Sequence, residues 1–398
     1  MIAYFIPPIS ILLLKYLNNI NINNIRTEII GIKYWIIILA IFIYCGGYMT
    51  GSDWRSYEII YNSISIKGAL SYTRENVFYL YMLIFKTLGI SFINFLIFSK
   101  ILIFCCITYN ILKYSIDEYF ALFLFWGIQY FTLFIFVNNP LRFMIAMGII
   151  SFSYEKIIKR SFLSYIIIIL IAAYFHISAL IMIPVYFFQN IINISKIKII
   201  LIYSIYYLIF SREYILLFAK LFNSIIPFFT FLLRTYLIRM QYEQNSLFSI
   251  GSIFNYLIFI IIIINSEKIK SKKYGKFIFY MSLIYFISFK LGLLIPTISR
   301  ISLYFFIFYI SSITILIKEI KHRNILILFL IIYTIISSYK SIYNSYVYYP
   351  YSNYYLFSSI NGQKDYQYRS DYNINAYYNR FGKYPQYFEG VDYEKEPY

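Results

Sequence analysis

Long apolar runs separated by short charged connections are the feature that most limits what this chain can become. Tyr34 to Ile43, Phe120 to Val137, Ile253 to Ile264 and Ile325 to Ile336 each extend, with their neighbours, to the roughly 20 residues a spanning helix needs. Such runs satisfy their own backbone only as helices, whereas a barrel strand would alternate apolar and polar positions. With 61% hydrophobic and 13% charged residues among 398, there is too little polar surface to coat a soluble globule. The expected fold class is therefore all-α, a polytopic integral membrane protein.

Reading the runs against their polar breaks gives about twelve spans, near 1–17, 29–49, 91–112, 119–137, 141–155, 161–175, 177–189, 197–210, 247–264, 277–296, 298–317 and 324–343. Met1 to Leu17 lacks a basic leader and a small-residue cleavage site, so it reads as a first span. Asn76 to Gly89 is apolar but short and carries Lys86, which suits a re-entrant or interfacial helix. The membrane domain covers residues 1–343, and a Tyr- and Asn-rich tail occupies 344–398. No fixed-period repeat and no matched pair of Gly- or Pro-broken helices is present, which weakens a transporter reading.

In a soluble protein a net charge of +18 would point to nucleic acid. Here the positive residues collect in Lys156 to Arg160, Lys268 to Lys276 and Lys318 to Arg323, the pattern of cytoplasmic loops. No nucleic-acid partner is expected. Alternation then puts the loop 50–90, the turn Asn138-Asn139-Pro140, the partly amphipathic segment 211–246 and the tail on the outer face, which for a bacterial chain is periplasmic or extracellular. Cys45, Cys105 and Cys106 lie in apolar runs without the spacing of a zinc or redox site, and no metal or cofactor is expected.

Ionisable groups kept beside a span line a cavity, pair with one another, or meet a charged substrate. Gly51-Ser52-Asp53-Trp54-Arg55-Ser56-Tyr57 places an acid and a base two residues apart, with Trp54 and Tyr57 offering flat faces and a hydroxyl to a sugar. Arg142 follows Pro140 into the first turn of a helix, where free amides, the positive end of the dipole and a guanidinium converge on an anion such as phosphate. A snorkelling interfacial arginine is the competing reading. Arg300 repeats the arrangement after Pro296, with Tyr304 one turn further in. Arg234 and Arg239 punctuate the outer segment. His176, one of two histidines, sits between two apolar runs, where it is either a packing residue or a proton-transfer group of near-neutral pKa.

In order along the chain, three blocks resemble the EpsG type of polysaccharide polymerase within the broader Wzy O-antigen polymerase group. Gly51 to Tyr57 resembles the family's G-x-D-(Y/W)-x-x-Y loop after the second span. Pro140 to Ala146, followed by Ala172 to Leu180, resembles its R-(Q/x)-x-(I/L)-A helix and A-x-x-(F/Y)-H-x-(S/T)-A-(L/I) segment, with Phe143 where glutamine is common. Tyr349-Pro350-Tyr351 closes the pattern, with Arg300 to Tyr304 as an earlier arginine-bearing helix start.

The resemblance implies a membrane glycosyltransferase. It would move a growing glycan from undecaprenyl pyrophosphate to another lipid-linked repeat unit on the outer face, with a flippase and a chain-length regulator of the same pathway as partners. On that reading Arg142 and Arg300, assisted by Arg234 or Arg239, neutralise the departing pyrophosphate without a metal. His176 or Asp53 deprotonates the acceptor, and Arg55 with Asp53, Trp54 and Tyr57 positions its sugar. Three rivals share parts of this inventory: a lipid-linked oligosaccharide flippase, an O-antigen ligase that differs only in its acceptor, and a membrane O-acyltransferase, whose histidine should face inward.

Overall fold

In the computed structural model the described residues are 2–19, 26–47, 50–51, 53–71, 75–138, 140–188, 195–209, 250–294, 296–321, 323–343, 348, 351–357, 371, 375 and 378. Among them the only non-helical pairing is an isolated antiparallel bridge between Gly47 and Asn353.

A short 3-10 turn leads into α1 (Ile6–Asn19) and α2 (Arg26–Cys45). Three helices follow in the polar region: α3 (Trp54–Ser63), α4 (Ile66–Ser71) and α5 (Asn76–Thr87). Next come α6 (Phe92–Tyr114), α7 (Glu118–Gly127), α8 (Gln129–Phe136), α9 (Leu141–Ser151), α10 (Tyr154–Ile158) and α11 (Phe162–Phe175). A 3-10 segment, Ile177–Met182, separates α11 from α12 (Val185–Phe188) and α13 (Lys196–Ile209). The rest comprises α14 (Ile250–Ile264), α15 (Ser266–Lys270), α16 (Gly275–Leu294), α17 (Pro296–Glu319), α18 (Arg323–Tyr343) and α19 (Tyr354–Phe357).

The all-helical membrane architecture holds, while the count of about twelve spans is not confirmed among the described residues. Three helices among the described residues are long and apolar enough to cross a membrane, within Phe92–Tyr114, Gly275–Leu293 and Ser299–Glu319, beside several shorter apolar ones. The run 119–137 is two helices because Ile128 leaves the helical region at φ −76°, ψ 70°. The run 141–155 ends α9 at Ser151, and 177–189 is a 3-10 segment followed by one short helix. Hydrophobicity reports burial but not continuity, so a kinked helix packed on protein reads like one crossing lipid. The span within α17 is 89% buried against 61% for the other two, so α17 is the bundle's central helix. The expected outer amphipathic segment, 211–246, lies outside the described residues.

Charges at one end confirm that the basic connections share a side. Lys113 pairs with Glu155, Lys272 with Glu319 at 2.6 Å and Lys15 with Asp117 at 2.7 Å, while Lys318 donates to the Ile116 carbonyl. At the opposite end the chain reverses repeatedly. After α5, Gly89 adopts φ +73° and the Ile90 N–H returns to the Phe85 carbonyl at 3.1 Å, a Schellman closure that needs a glycine. Ser91 then caps α6 by accepting from the Asn94 N–H.

Gly51 is the tightest of these junctions. Its φ is +93°, and a Cβ there would stand 2.5 Å from the Val137 carbonyl oxygen and 2.6 Å from that of Asn138. Glycine is therefore required twice over, for conformation and for space. The contact brings the polar loop of residues 51–57 against the turn that launches α9. The beginning of the predicted tail joins them. Asn353 Nδ2 donates to the Phe42 carbonyl at 2.7 Å, the Tyr354 N–H to the Gly46 carbonyl at 2.8 Å, and Trp54 packs on Ile93 and Tyr354. Residues 351–357 are thus part of the bundle's end.

Candidate functional site

α3 is amphipathic in register. Trp54, Tyr57 and Tyr61 recur at helical spacing and are buried, so the opposite face presents Arg55 and Glu58. Arg55 meets Glu58, one turn along, at 2.8 Å, and these two with Ile59, Asn62 and Ser63 line an open groove of about 450 Å³. Asp53 occupies the N-cap position of α3, where its backbone carbonyl accepts from the Tyr57 N–H at 3.2 Å and its side chain makes no capping hydrogen bond. Burial raises the pKa of Glu58 despite the nearby guanidinium.

Tyr57 points the other way, into the bundle's end. Its ring packs edge-on against Phe78 of α5, with centroids 5.4 Å apart, and its hydroxyl faces Arg142 Nε at 3.4 Å. Burial raises the Tyr57 pKa, so the phenol stays protonated beside the arginine. Arg142, second residue of α9, donates from Nη1 to Glu75 Oε2 at 2.6 Å. The other carboxylate oxygen of Glu75 accepts the Ile177 backbone N–H at 3.1 Å. One acid thus ties the start of α9 to the 3-10 segment beyond α11. Glu75 is well buried, 11% exposed against 38% for Arg142. It holds this place at φ +56°, a left-handed conformation that costs a non-glycine residue free energy. A guanidinium with five donors, two of them engaged and more than a third of its surface open, keeps capacity for an anion.

His176 ends α11 and immediately precedes that 3-10 segment. Its Nδ1 accepts from the Ser178 backbone N–H at 3.2 Å and lies 2.8 Å from the Ser178 hydroxyl, which in turn is 2.8 Å from the Tyr304 hydroxyl of α17. Phe143 packs against both His176 and Tyr304, at centroid distances of 5.7 Å and 5.0 Å. The near-neutral pKa anticipated for this histidine is corrected to about 4: burial dominates, the charges of Arg300 and Arg142 add to it, and Glu75 opposes them. The ring is neutral at pH 7. Because an N–H points at Nδ1, the proton of the neutral ring is on Nε2.

Four of the anticipated residues, Tyr57, Arg142, His176 and Tyr304, therefore meet in one hydrogen-bonded and packed cluster. Arg300 stands near enough for its charge to act on His176 and Tyr304, and its guanidinium lies 5.9 Å from the Phe134 ring centroid. Asp53, Trp54 and Arg55 are one turn of α3 away. Arg234 and Arg239 lie outside the described residues. Glu75 and Ser178 join the cluster by hydrogen bonds and Phe143 by packing. Glu75 carried a signal, being one of only 17 acids and adjoining an apolar helix. Ser178 stood in the H-x-(S/T) position of the resembling segment without being singled out. Among the described residues no group of three or more His, Cys, Asp or Glu is placed to hold a metal ion.

Fold and site together define a helical membrane protein with a polar, arginine-centred cluster at the end of its bundle opposite the basic loops. The chain belongs to the EpsG family, whose model matches residues 32–355, most of its length. EpsG is a family related to the Wzy-type polysaccharide polymerases and associated with glycosyltransferase-like activity in polysaccharide biosynthesis. No curated protein and no solved structure matches the chain.

Proposed function

We propose that the protein polymerises lipid-linked oligosaccharide repeat units, transferring a growing glycan from undecaprenyl pyrophosphate to a hydroxyl of another lipid-linked unit at the outer face of a bacterial cytoplasmic membrane. The observation that carries this reading is the partly open Arg142 guanidinium at the first turn of α9, oriented by Glu75 and Tyr57. Helix amides and a directed guanidinium are suited to the charge that builds on a pyrophosphate as the glycosidic carbon leaves it. Arg142 binds the leaving group, Arg300 adds to the positive potential, and Glu75 is a positioning residue.

Neutral His176, its Nδ1 already capped by Ser178, donates a hydrogen bond from Nε2. That leaves Asp53, next to Tyr57 on α3, as the group that takes the acceptor's proton. The C1–oxygen bond of the donor breaks with its electron pair on the pyrophosphate, the acceptor oxygen bonds to C1, and the acceptor proton passes to Asp53. Replacing His176 by Gln, which keeps a side-chain N–H donor, retains chain growth within about tenfold, whereas Ala loses on the order of a hundredfold. Equal loss in both variants would return the base role to His176.

The deciding measurement is the surface glycan profile of a strain lacking this gene, complemented with wild type or with Arg142→Ala. A single-repeat band restored to a ladder by wild type alone supports polymerisation. A ladder from Arg142→Ala overturns the arginine's role, and loss of even the single repeat in the deletion strain points to the flippase or ligase.

A further inference from the structure

A second unusual feature lies away from the Arg142 cluster, where α13, α14 and α16 surround an apolar groove of about 230 Å³. Ile202, Tyr203 and Tyr206 of α13, Phe259 of α14, and Leu283 and Ile287 of α16 form its walls. Both tyrosine hydroxyls are turned onto backbone, Tyr203 donating to the Phe286 carbonyl at 3.2 Å and Tyr206 to that of Ile287 at 2.8 Å. The rings therefore present hydrocarbon to the groove.

The next turn of α16 carries Lys290, three residues beyond Ile287 and seven beyond Leu283, on the same helical face. Its side chain is fully buried, and its ammonium has no hydrogen-bond partner among the described residues. What it has is the Tyr207 ring, 3.8 Å from Nζ to centroid, four residues along α13 from Tyr203. A cation held by one aromatic face at membrane depth lacks the acceptors that normally offset its burial, so an anion completes the site. Its level is set by the hairpin of α16 and α17. Gly292 lies so close to Ser299 that a Cβ would come within 2.5 Å of the Ser299 Cα, which brings Lys290 to the depth of Arg300.

We infer that this groove seats the isoprenoid chain of the lipid-linked substrate, with Lys290 as the counter-cation to its phosphate end. The assignment rests on the polymerase reading and adds where the carrier lies. A groove of this volume takes a stretch of one hydrocarbon chain, and the cation caps it at the end level with the site's second arginine.

The test uses the full chain in phosphatidylethanolamine vesicles, a photoactivatable isoprenoid diphosphate, the corresponding uncharged isoprenol, and mapping of the labelled peptides. The diphosphate is expected to label the groove-lining segments Val185–Phe188, Lys196–Ile209, Ile250–Ile264 and Gly275–Leu294. Ile287→Trp, at a position 39% exposed where an indole needs no core space, fills the groove and lowers labelling about tenfold. Lys290→Gln lowers diphosphate labelling by a similar factor, the order of one charge-assisted hydrogen bond, and leaves isoprenol labelling unchanged. Label on other helices, equal labelling by the two probes in wild type, or competition by phosphatidylglycerol as strong as by unlabelled isoprenoid diphosphate would each overturn the inference. Labelling needs no turnover. A failed ladder experiment with a labelled groove would thus remove the polymerase reading alone, and the reverse result would remove the groove alone.

Discussion

The two ends of the bundle use charge in opposite ways. At the basic end the charges form separate small groups, Lys113 and Lys159 on Glu155, Lys272 on Glu319, and Lys15 on Asp117, each joining two elements or one turn of a single helix. At the other end one ion pair, Arg142 with Glu75, draws in residues from α3, α5, α9, the 3-10 segment and, through Phe143, His176 and Tyr304. The candidate site is marked by convergence, several elements meeting through one ion pair.

The sharpest way to break that contrast is to truncate one cation at each end. Arg142→Ala should cost at least about a hundredfold in chain growth, because one charge-stabilising donor is commonly worth that much. Lys272→Ala removes a pair at the protein's surface, and such pairs contribute up to about 1 kcal/mol. It is the smallest effect expected, with a ladder indistinguishable from wild type. Equal losses from the two would erase the distinction between the ends.

Between these extremes lies Gly51. Gly51→Ala should destabilise this end of the bundle by about 2 to 4 kcal/mol, since the methyl group meets two carbonyl oxygens and the backbone is left-handed. Protease sensitivity within residues 50–60, compared with the basic loops, reads this out, and equal protection in the variant would show that the junction is not where the loop is fixed.

A smaller effect follows from His176. Its folded pKa of about 4 lies below the ordinary 6.5, so the unfolded chain binds more protons in between. Stability is therefore fully present above about 6.5 and falls as the pH drops toward 4. The thermal midpoint in detergent should decline through that window, and the decline should be shallower in His176→Gln. Identical slopes would mean that the histidine is not held neutral.

What was legible beforehand follows a physical line. The helical membrane class and the basic loops are written in local composition, because burial in lipid and the placement of lysines act on each segment separately. Tyr57, Arg142, His176 and Tyr304 were identifiable because a polar group beside an apolar run is conspicuous. The break between α7 and α8 at Ile128 was not, since the apolar run continues on both sides of it. Nor was the pKa of His176, which depends first on burial by the packed helices and then on Glu75, Arg300 and Arg142, the two arginines 124 and 34 positions away in the chain.

The sequence by itself determined the solvent of each segment and the supply of cations, phenols and acids from which a site could be drawn. Only the tertiary structure decided that Glu75, a sixty-seven-residue separation from Arg142, would be its partner, that Gly51 would lie on the turn before α9, and that Ser178 would bridge His176 to Tyr304. The reason is that hydrophobic transfer is a property of each residue, roughly proportional to the area it hides. Hydrogen bonds and ion pairs, by contrast, exist only at contact distance, and contact is set by how the helices pack.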